Sequence, residues 1–221
     1  RVAYVGICAT DLGLGVGNEG HGPTDPGRYP VVPGHEFAGV VLETGTGVSG
    51  LKRGQKVVGE CENGAYSRHI KLPAQRLYKL PDDIPLKNAV MVEPVAAVLG
   101  LLRPLPIESG HRVCVIGAGP LGNICAQLLR NKNVRVSVVD RDERRLKLLH
   151  KYDVDTLAEL GQQDRFDYHL VETDDSGKPA PCPGERRQTT AAIPCRGLAN
   201  PSASRSASND ADWHEAIRLV R

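Results

Sequence analysis

The strongest constraint on the fold is a glycine-rich turn that joins an apolar strand to a helix. Residues 117–122 read G-A-G-P-L-G and directly follow a predicted strand over 112–116. A second apolar strand follows over 134–139 and ends at Asp140. Strands that alternate with helices form a parallel sheet with right-handed crossovers. We therefore predict an α/β chain that contains a partial, doubly wound parallel sheet over residues 94–173.

The glycines and the acidic residue of this motif fit a dinucleotide coenzyme. Gly117 permits the tight turn, Gly119 lets the backbone approach a pyrophosphate at the helix N-terminus, and Gly122 allows close packing. Asp140 can accept hydrogen bonds from ribose hydroxyls and repels a 2′-phosphate, which favours NAD over NADP, although Arg141 weakens that inference. A glycine turn without any ligand is the alternative. The candidate cofactor-binding residues are Gly117, Gly119, Pro120, Leu121, Gly122, Asp140 and Arg141.

The remaining sequence divides into regions that differ in composition and hydrophobic pattern. Short β-like runs over 37–42, 56–58 and 66–70, separated by glycine turns, predict a mostly β domain over residues 1–93. A helix is predicted from Pro94, a favoured first helical residue. Its apolar stripe, like those of the other predicted helices, recurs at intervals of three and four residues.

The C-terminal part lacks such patterns until its last residues. Residues 174–209 are rich in Pro and Ser and predict an irregular segment, whereas residues 210–221 predict a terminal helix with Trp213 on its apolar side. We expect the natural N-terminus to lie upstream of Arg1, because the first residues look like the inside of a strand. A reading-frame disruption or internal loss is one hypothesis for the irregular segment.

Composition excludes several classes of partner. The formal net charge is +2, with 28 basic and 26 acidic residues, which gives no electrostatic footprint for nucleic acid. No apolar run approaches the roughly 18 residues that a membrane span needs. No signal peptide is visible, and the six cysteines form no C-x-x-C pair, so reduced thiols in a cytoplasmic protein are expected.

Three motifs near the N-terminus carry a family resemblance. Residues 34–48 follow G-H-E-x-x-G-x5-G-x-x-V, residues 6–11 read G-I-C-A-T-D, and residues 92–94 read V-E-P. In this order they resemble the zinc-containing alcohol dehydrogenases of the medium-chain dehydrogenase/reductase superfamily. The resemblance runs from Val2 to about Thr173. It implies a GroES-like, mostly β catalytic domain, here incomplete, beside a Rossmann domain.

The resemblance also implies a catalytic zinc ion. Cys8 and His35 would be ligands, and Glu36 or Glu93 would supply a carboxylate, which leaves one position for water or substrate. Taken alone, three of these residues also have an ordinary structural interpretation. Cys8 could be a buried thiol, His35 a histidine with satisfied hydrogen bonds, and Glu93 the N-cap of a helix. Thr10 matches the hydroxyl that passes the alcohol proton outward. The implied reaction is reversible oxidation of a secondary alcohol or polyol by NAD; the implied catalytic residues are Cys8, Thr10, His35 and Glu36.

Two departures from the family pattern limit these expectations. Many relatives hold a second, structural zinc with four closely spaced cysteines, but Cys61 stands alone here, so we predict one zinc at most. Gly13 occupies the place of the relay histidine. Relatives often form homo-oligomers through their last Rossmann strands, which this sequence does not show. The competing hypotheses are an inactive fragment that retains at most NAD or zinc binding, and a zinc-free reductase.

Overall fold

A computed structural model shows two compact units, which are described separately. The N-terminal unit comprises residues 1–97 and 197–221, and the central unit comprises residues 98–196. The structure describes residues 1–16, 31–161, 166–172, 189–193 and 209–221. The domain boundary at residues 93 and 94 stays a prediction.

The elements alternate much as the sequence predicts. Their bounds in chain order are β1 Val2–Val5, α1 Ala9–Val16, β2 Phe37–Val40, β3 Lys56–Gly59, β4 Leu77–Lys79, α2 Leu86–Ala89, α3 Val92–Leu102, β5 Arg112–Ile116, α4 Pro120–Asn131, β6 Arg135–Val139, α5 Glu143–Lys147, β7 Asp155–Leu157, β8 Tyr168–Glu172, β9 Thr189–Ile193 and α6 Asp210–Leu219.

The N-terminal unit is built on an antiparallel sheet of order β1-β2-β3-β4, so the predicted mostly β region is confirmed. Phe37, Cys61 and Ala65 form a buried cluster beside this sheet. The predicted strand over 66–70 does not form. The Ser67 hydroxyl instead lies 2.6 and 2.8 Å from the carbonyl oxygens of Gly64 and His69, to either of which it can donate, and the segment forms a local bend.

The terminal helix α6 packs within the N-terminal unit. Asn209 and Asp212 form a reciprocal capping box at its start. The Trp213 ring stacks on Tyr78, with ring centroids 4.7 Å apart, and Trp213 is almost completely buried. This confirms the predicted helix and its apolar side.

Helix α3 begins two residues before Pro94, at Val92. Proline is tolerated there because the first N–H groups of a helix have no intrahelical partner. Its predicted apolar stripe is buried, at Val95, Val98, Leu99 and Leu102.

The central unit holds a parallel sheet of order β7-β6-β5-β8-β9. From β5 the chain runs outward through β6 to β7, and then returns to β8 on the other side of β5. This reversal creates a topological switch point at the carboxyl end of β5, where ligands of open α/β sheets bind. The α/β fold class and the doubly wound sheet are thus confirmed.

The structure differs from the sequence-based prediction over residues 174–209. Thr189–Ile193 forms β9, which pairs in parallel with β8, although the surrounding Pro and Ser residues predict an irregular segment. Thr and Ile are β-branched and favour extended backbone. The rest of that segment lies outside the described residues, apart from Asn209. Among the described residues, none of the helices combines the length and the hydropathy that a transmembrane segment needs.

Candidate functional site

Pairing of two strands brings the metal-ligand candidates together. Cys8 follows β1 and the His35–Glu36 dipeptide precedes β2, and in this antiparallel pair Val5 lies opposite Phe37. The end of β1 therefore meets the start of β2. The Gly6 N–H donates to the Glu36 carbonyl at 2.8 Å and extends the pairing to the candidate ligands themselves.

Cys8, His35 and Glu36 each offer a ligand atom, and all three atoms lie within 4.8 Å of one another. Zinc bonds of about 2.0–2.3 Å place neighbouring tetrahedral ligands roughly 3.5 Å apart. Small side-chain adjustments therefore bring these three donors around one ion. A thiolate, an imidazole and a carboxylate are also the donor types that zinc binds in proteins.

The two nitrogens of the His35 ring have different surroundings. Nδ1 lies 3.5 Å from the Asp11 carboxylate, whereas Nε2 is buried and has no hydrogen-bond partner among the described residues. A buried polar atom without a partner is costly in a folded protein. A metal ion at Nε2 would satisfy it, with Asp11 orienting the ring as carboxylates commonly do for metal-bound histidines. The residues present thus fit a zinc ion.

Gly6 makes room for the candidate carboxylate ligand. A Cβ atom at Gly6 would lie 2.0 Å from Glu36 Oε2, far inside contact distance. With a larger residue at position 6, the Glu36 carboxylate would have to move from its present place beside Cys8. The first glycine of the G-I-C-A-T-D motif is therefore explained by space for a ligand.

Sequence reasoning missed the role of Asp11, which holds the site together. Its Oδ1 accepts the Gly34 N–H at 2.9 Å, and its Oδ2 accepts the Cys8 N–H at 3.0 Å and the Tyr66 hydroxyl at 2.9 Å. Its side chain is only 2% exposed. The signal in the sequence was the final residue of the G-I-C-A-T-D motif, read only as part of the resemblance.

The site concentrates negative charge. Burial raises the pKa values of the Cys8 thiol and of the Glu36 carboxyl. Burial, with added repulsion from the charges of Glu36, Glu60 and Asp11, raises the pKa of Glu93 to about 7. A divalent cation would relieve this repulsion and favour the deprotonated ligands.

The other candidates of this region lie nearby. Thr10 is buried, and its hydroxyl accepts the Cys8 thiol at 3.7 Å. Glu93 interacts electrostatically with His35 and Glu36 but is not part of the three-residue ligand group. The Cys61 thiol is buried and lies 3.8 Å from the carbonyls of Gly34 and His35. No second ligand group of this kind occurs in the described ranges.

The glycine loop of the central unit has the geometry of a nucleotide turn. Gly117 has a φ of +107°, in the region that favours glycine, and its N–H donates to the Val139 carbonyl at 2.8 Å. Asp140 stands at the end of β6 and accepts the N–H groups of Ala118 and Asp142, at 2.7 and 2.8 Å. The loop and the acidic residue are thus joined directly.

The other predicted cofactor residues follow the loop. Gly119 is the N-cap of α4 and Pro120 its first residue. Leu121 lies within the first turn and Gly122 is buried in the helix packing. Arg141 is exposed. The start of α4 therefore presents backbone N–H groups at the switch point, as anion binding requires.

Two family models match the chain. Residues 1–82 match the alcohol dehydrogenase GroES-like domain, and residues 111–203 match an FAD binding domain. The second match covers the strand–glycine loop–helix unit that NAD and FAD folds share.

Named relatives agree with the first match. A probable D-xylulose reductase A of Aspergillus clavatus is 30% identical over 72% of this chain and 52% of its own length. L-threonine 3-dehydrogenase of Idiomarina loihiensis is 29% identical over 77% of this chain and 61% of its own length. The chain thus spans between about half and three fifths of the length of these curated relatives.

Solved structures show the same fold. A thermostable alcohol dehydrogenase of Pyrobaculum aerophilum, bound to cobalt and zinc, superimposes with a TM-score of 0.77, at 23% identity, over 100% of this chain and 78% of that one. The motifs, the domain match and the relatives agree. The chain belongs to the zinc-dependent alcohol and polyol dehydrogenases of the medium-chain dehydrogenase/reductase superfamily.

Proposed function

We propose that this chain is an oxidoreductase that uses one zinc ion to transfer hydride from a secondary alcohol or polyol to NAD. The observation that carries the proposal is that Cys8, His35 and Glu36 offer ligand atoms within 4.8 Å of one another. One nitrogen of that buried imidazole also has no partner among the described residues. The named relatives act in the same chemical class, as L-threonine 3-dehydrogenase and a probable D-xylulose reductase.

Each residue has a separate task in this proposal. Cys8 and His35 hold the ion, with Glu36 as the third ligand and Glu93 as the alternative carboxylate. A zinc ion bound there would supply Lewis acidity, which lowers the pKa of a substrate hydroxyl. Thr10 would relay the proton that this hydroxyl loses, because its own hydroxyl hydrogen passes to water as it takes up the new one. NAD bound at the glycine loop would supply the hydride acceptor for the carbinol carbon.

The glycine loop supplies the coenzyme site. Gly117 and Gly119 bring the backbone close to the pyrophosphate, and the start of α4 provides N–H donors. Asp140 receives the ribose hydroxyls and disfavours a 2′-phosphate, which is the reason to propose NAD instead of NADP.

Metal content tests the first half of the proposal. The purified chain should bind one zinc or cobalt(II) ion, measured by elemental analysis and by the visible absorption of cobalt. His35→Ala should lose the ion. The matched control is His69→Ala, an exposed histidine of the same unit outside the ligand group. Equal metal content in His35→Ala and the parent chain would refute the metal site.

Coenzyme binding and turnover test the second half. Titration with NADH, NADPH and FAD should show tightest binding of NADH. A panel of polyols with NAD should then yield NADH in the metal-loaded chain and none in His35→Ala. Metal and NADH binding without turnover would favour the inactive-fragment hypothesis, and stoichiometric FAD would replace the nicotinamide proposal.

A further inference from the structure

Tyr66 approaches the metal-ligand group from outside the motifs that define it. Its backbone N–H donates to the Pro33 carbonyl at 3.0 Å, and the Ala65 N–H donates to the Gly34 carbonyl at 3.0 Å. The segment that carries Tyr66 is therefore hydrogen-bonded to the segment that leads into His35. This holds the backbone of Tyr66 beside the segment of the candidate ligands.

Gly34 accommodates that ring. Its φ is +96°, and a Cβ atom there would lie 2.5 Å from Tyr66 Cδ1. The aromatic ring thus packs directly on bare backbone next to His35. Tyr66 is otherwise 37% exposed, so this ring contact and the hydroxyl contacts described next set where the phenol hydroxyl points.

The hydroxyl donates to Asp11 Oδ2 at 2.9 Å and lies 3.3 Å from the Gly6 carbonyl. Desolvation and this hydrogen bond raise the pKa of Tyr66, so the phenol keeps its proton and acts as the donor. The opposite oxygen of the same carboxylate, Oδ1, faces His35 Nδ1. A chain of contacts therefore runs from the Tyr66 hydroxyl through the Asp11 carboxylate to the His35 ring.

We propose that the Tyr66 hydroxyl is a positioning group of the metal centre, which fixes the plane of the Asp11 carboxylate and through it the His35 imidazole. This inference rests on the proposed metal site. The Cys8 N–H also donates to Oδ2, so loss of the phenol leaves that oxygen one donor short without emptying it. The carboxylate gains freedom to rotate, and the imidazole loses part of its orientation toward the ion.

Tyr66→Phe removes one oxygen atom and keeps the ring on Gly34. Partners outside the ligand sphere of a metal typically change its affinity by about 10–100-fold, and a group one contact further away should change it by about 3–10-fold. We expect cobalt(II) and zinc to bind that much more weakly, with a shifted cobalt ligand-field spectrum. The apo chain should melt within about 2 °C of the parent, because a single partly exposed hydrogen bond is lost.

Tyr78→Phe is the matched control. The Tyr78 hydroxyl also donates to a carboxylate at 2.9 Å, that of Asp210, but it lies away from the ligand group. Metal affinity and the cobalt spectrum should not change in this variant. In an Asp11→Asn background, Tyr66→Phe should add little further loss, because both changes act on the same contact chain.

Two results would overturn the inference. The first is a parent chain that binds cobalt(II) while Tyr66→Phe binds it with the same affinity and spectrum; the metal site would then stand without this role for Tyr66. The second is a fall in affinity that Tyr78→Phe reproduces, or that comes with an unchanged spectrum and a large loss of apo stability. A parent chain that binds no cobalt(II) or zinc would refute the metal site and this inference together.

Discussion

Each unit of the molecule uses an aspartate to organise its candidate site, but the two aspartates work over different ranges. Asp140 accepts the N–H groups of Ala118 and Asp142, and so ties a strand end to the loop beside it. Asp11 accepts donors from Cys8, Gly34 and Tyr66, which lie 3, 23 and 55 positions away.

The difference fits what each candidate site is proposed to bind. A coenzyme phosphate is recognised by consecutive backbone N–H groups, so one short segment suffices. A metal ion needs side chains of different types at tetrahedral angles, and neighbouring residues rarely supply them. Asp11 holds the separate segments in register, which makes it a structural residue as well as a site residue.

Asp11→Ala is therefore expected to have the largest effect. It leaves two backbone N–H groups and the Tyr66 hydroxyl without their acceptor, which should lower the free energy of unfolding by about 3–5 kcal/mol. Asp140→Ala exposes fewer orphaned donors and should cost about 1–2 kcal/mol. Denaturant titration of the apo chain by circular dichroism measures both. Equal losses in the free energy of unfolding would show that joining distant segments gives Asp11 no greater effect on stability than Asp140 has.

The glycines of the two sites give a second, smaller contrast. Gly34 and Gly117 both have positive φ, of +96° and +107°, where an alanine is strained by about 1–2 kcal/mol. Gly34→Ala also drives a methyl group into the Tyr66 ring, so its total loss should reach about 3 kcal/mol. Thermal melts of the two variants compare them. If Gly117→Ala melts lower than Gly34→Ala, the ring contact is not the added cost.

The same contrast explains what the sequence could predict. The glycine loop, its strand and Asp140 form a contiguous pattern, and the structure joins them as that pattern indicates. Cys8, His35 and Glu36 came from a resemblance, and the register of β1 with β2 is what brings them together. Periodicity alone does not give that register, because it depends on pairing between distant strands.

The missed features share this origin. Tyr66 lies in a run whose side chains alternate between polar and apolar, as in a strand. The Ser67 hydroxyl instead hydrogen-bonds locally, near the carbonyls of Gly64 and His69, and the backbone bends there. Nothing local to Tyr66 marks its hydrogen bond with Asp11. Strand β9 is similar: Thr189–Ile193 is extended because β8 offers an edge, while the flanking Pro and Ser residues indicate irregular chain.

The preference between NADH and NADPH tests the proposed role of Asp140 at the coenzyme ribose. Asp140→Asn keeps an acceptor for the Ala118 N–H but removes the charge that repels a 2′-phosphate. We expect NADH affinity to fall about tenfold, or roughly 1.4 kcal/mol, while NADPH affinity rises. Fluorescence titration with both coenzymes measures the change. Asp11→Asn is the control, because Asp11 belongs to the other unit. This variant should leave the ratio of NADH affinity to NADPH affinity unchanged.

The smallest expected effect compares the helix caps of the two units. Asp142 caps α5, and its hydrogen bonds with Arg144 lower the pKa of the carboxyl to about 2. Because this pKa lies below that of the unfolded chain, about 3.9, the unfolded state binds more protons between these values. The contribution to stability is therefore present above about pH 4 and is lost as the pH falls toward 2.

Asp142→Asn retains a capping side chain but has no charge to titrate. It should melt below the parent at about pH 5, and the difference should shrink at about pH 3. In the N-terminal unit, Asn209→Ala removes an uncharged cap from α6, whose loss of about 1 kcal/mol should be the same at both pH values. A pH-independent difference for Asp142→Asn would mean that Arg144 contributes through packing and not through the charge of Asp142.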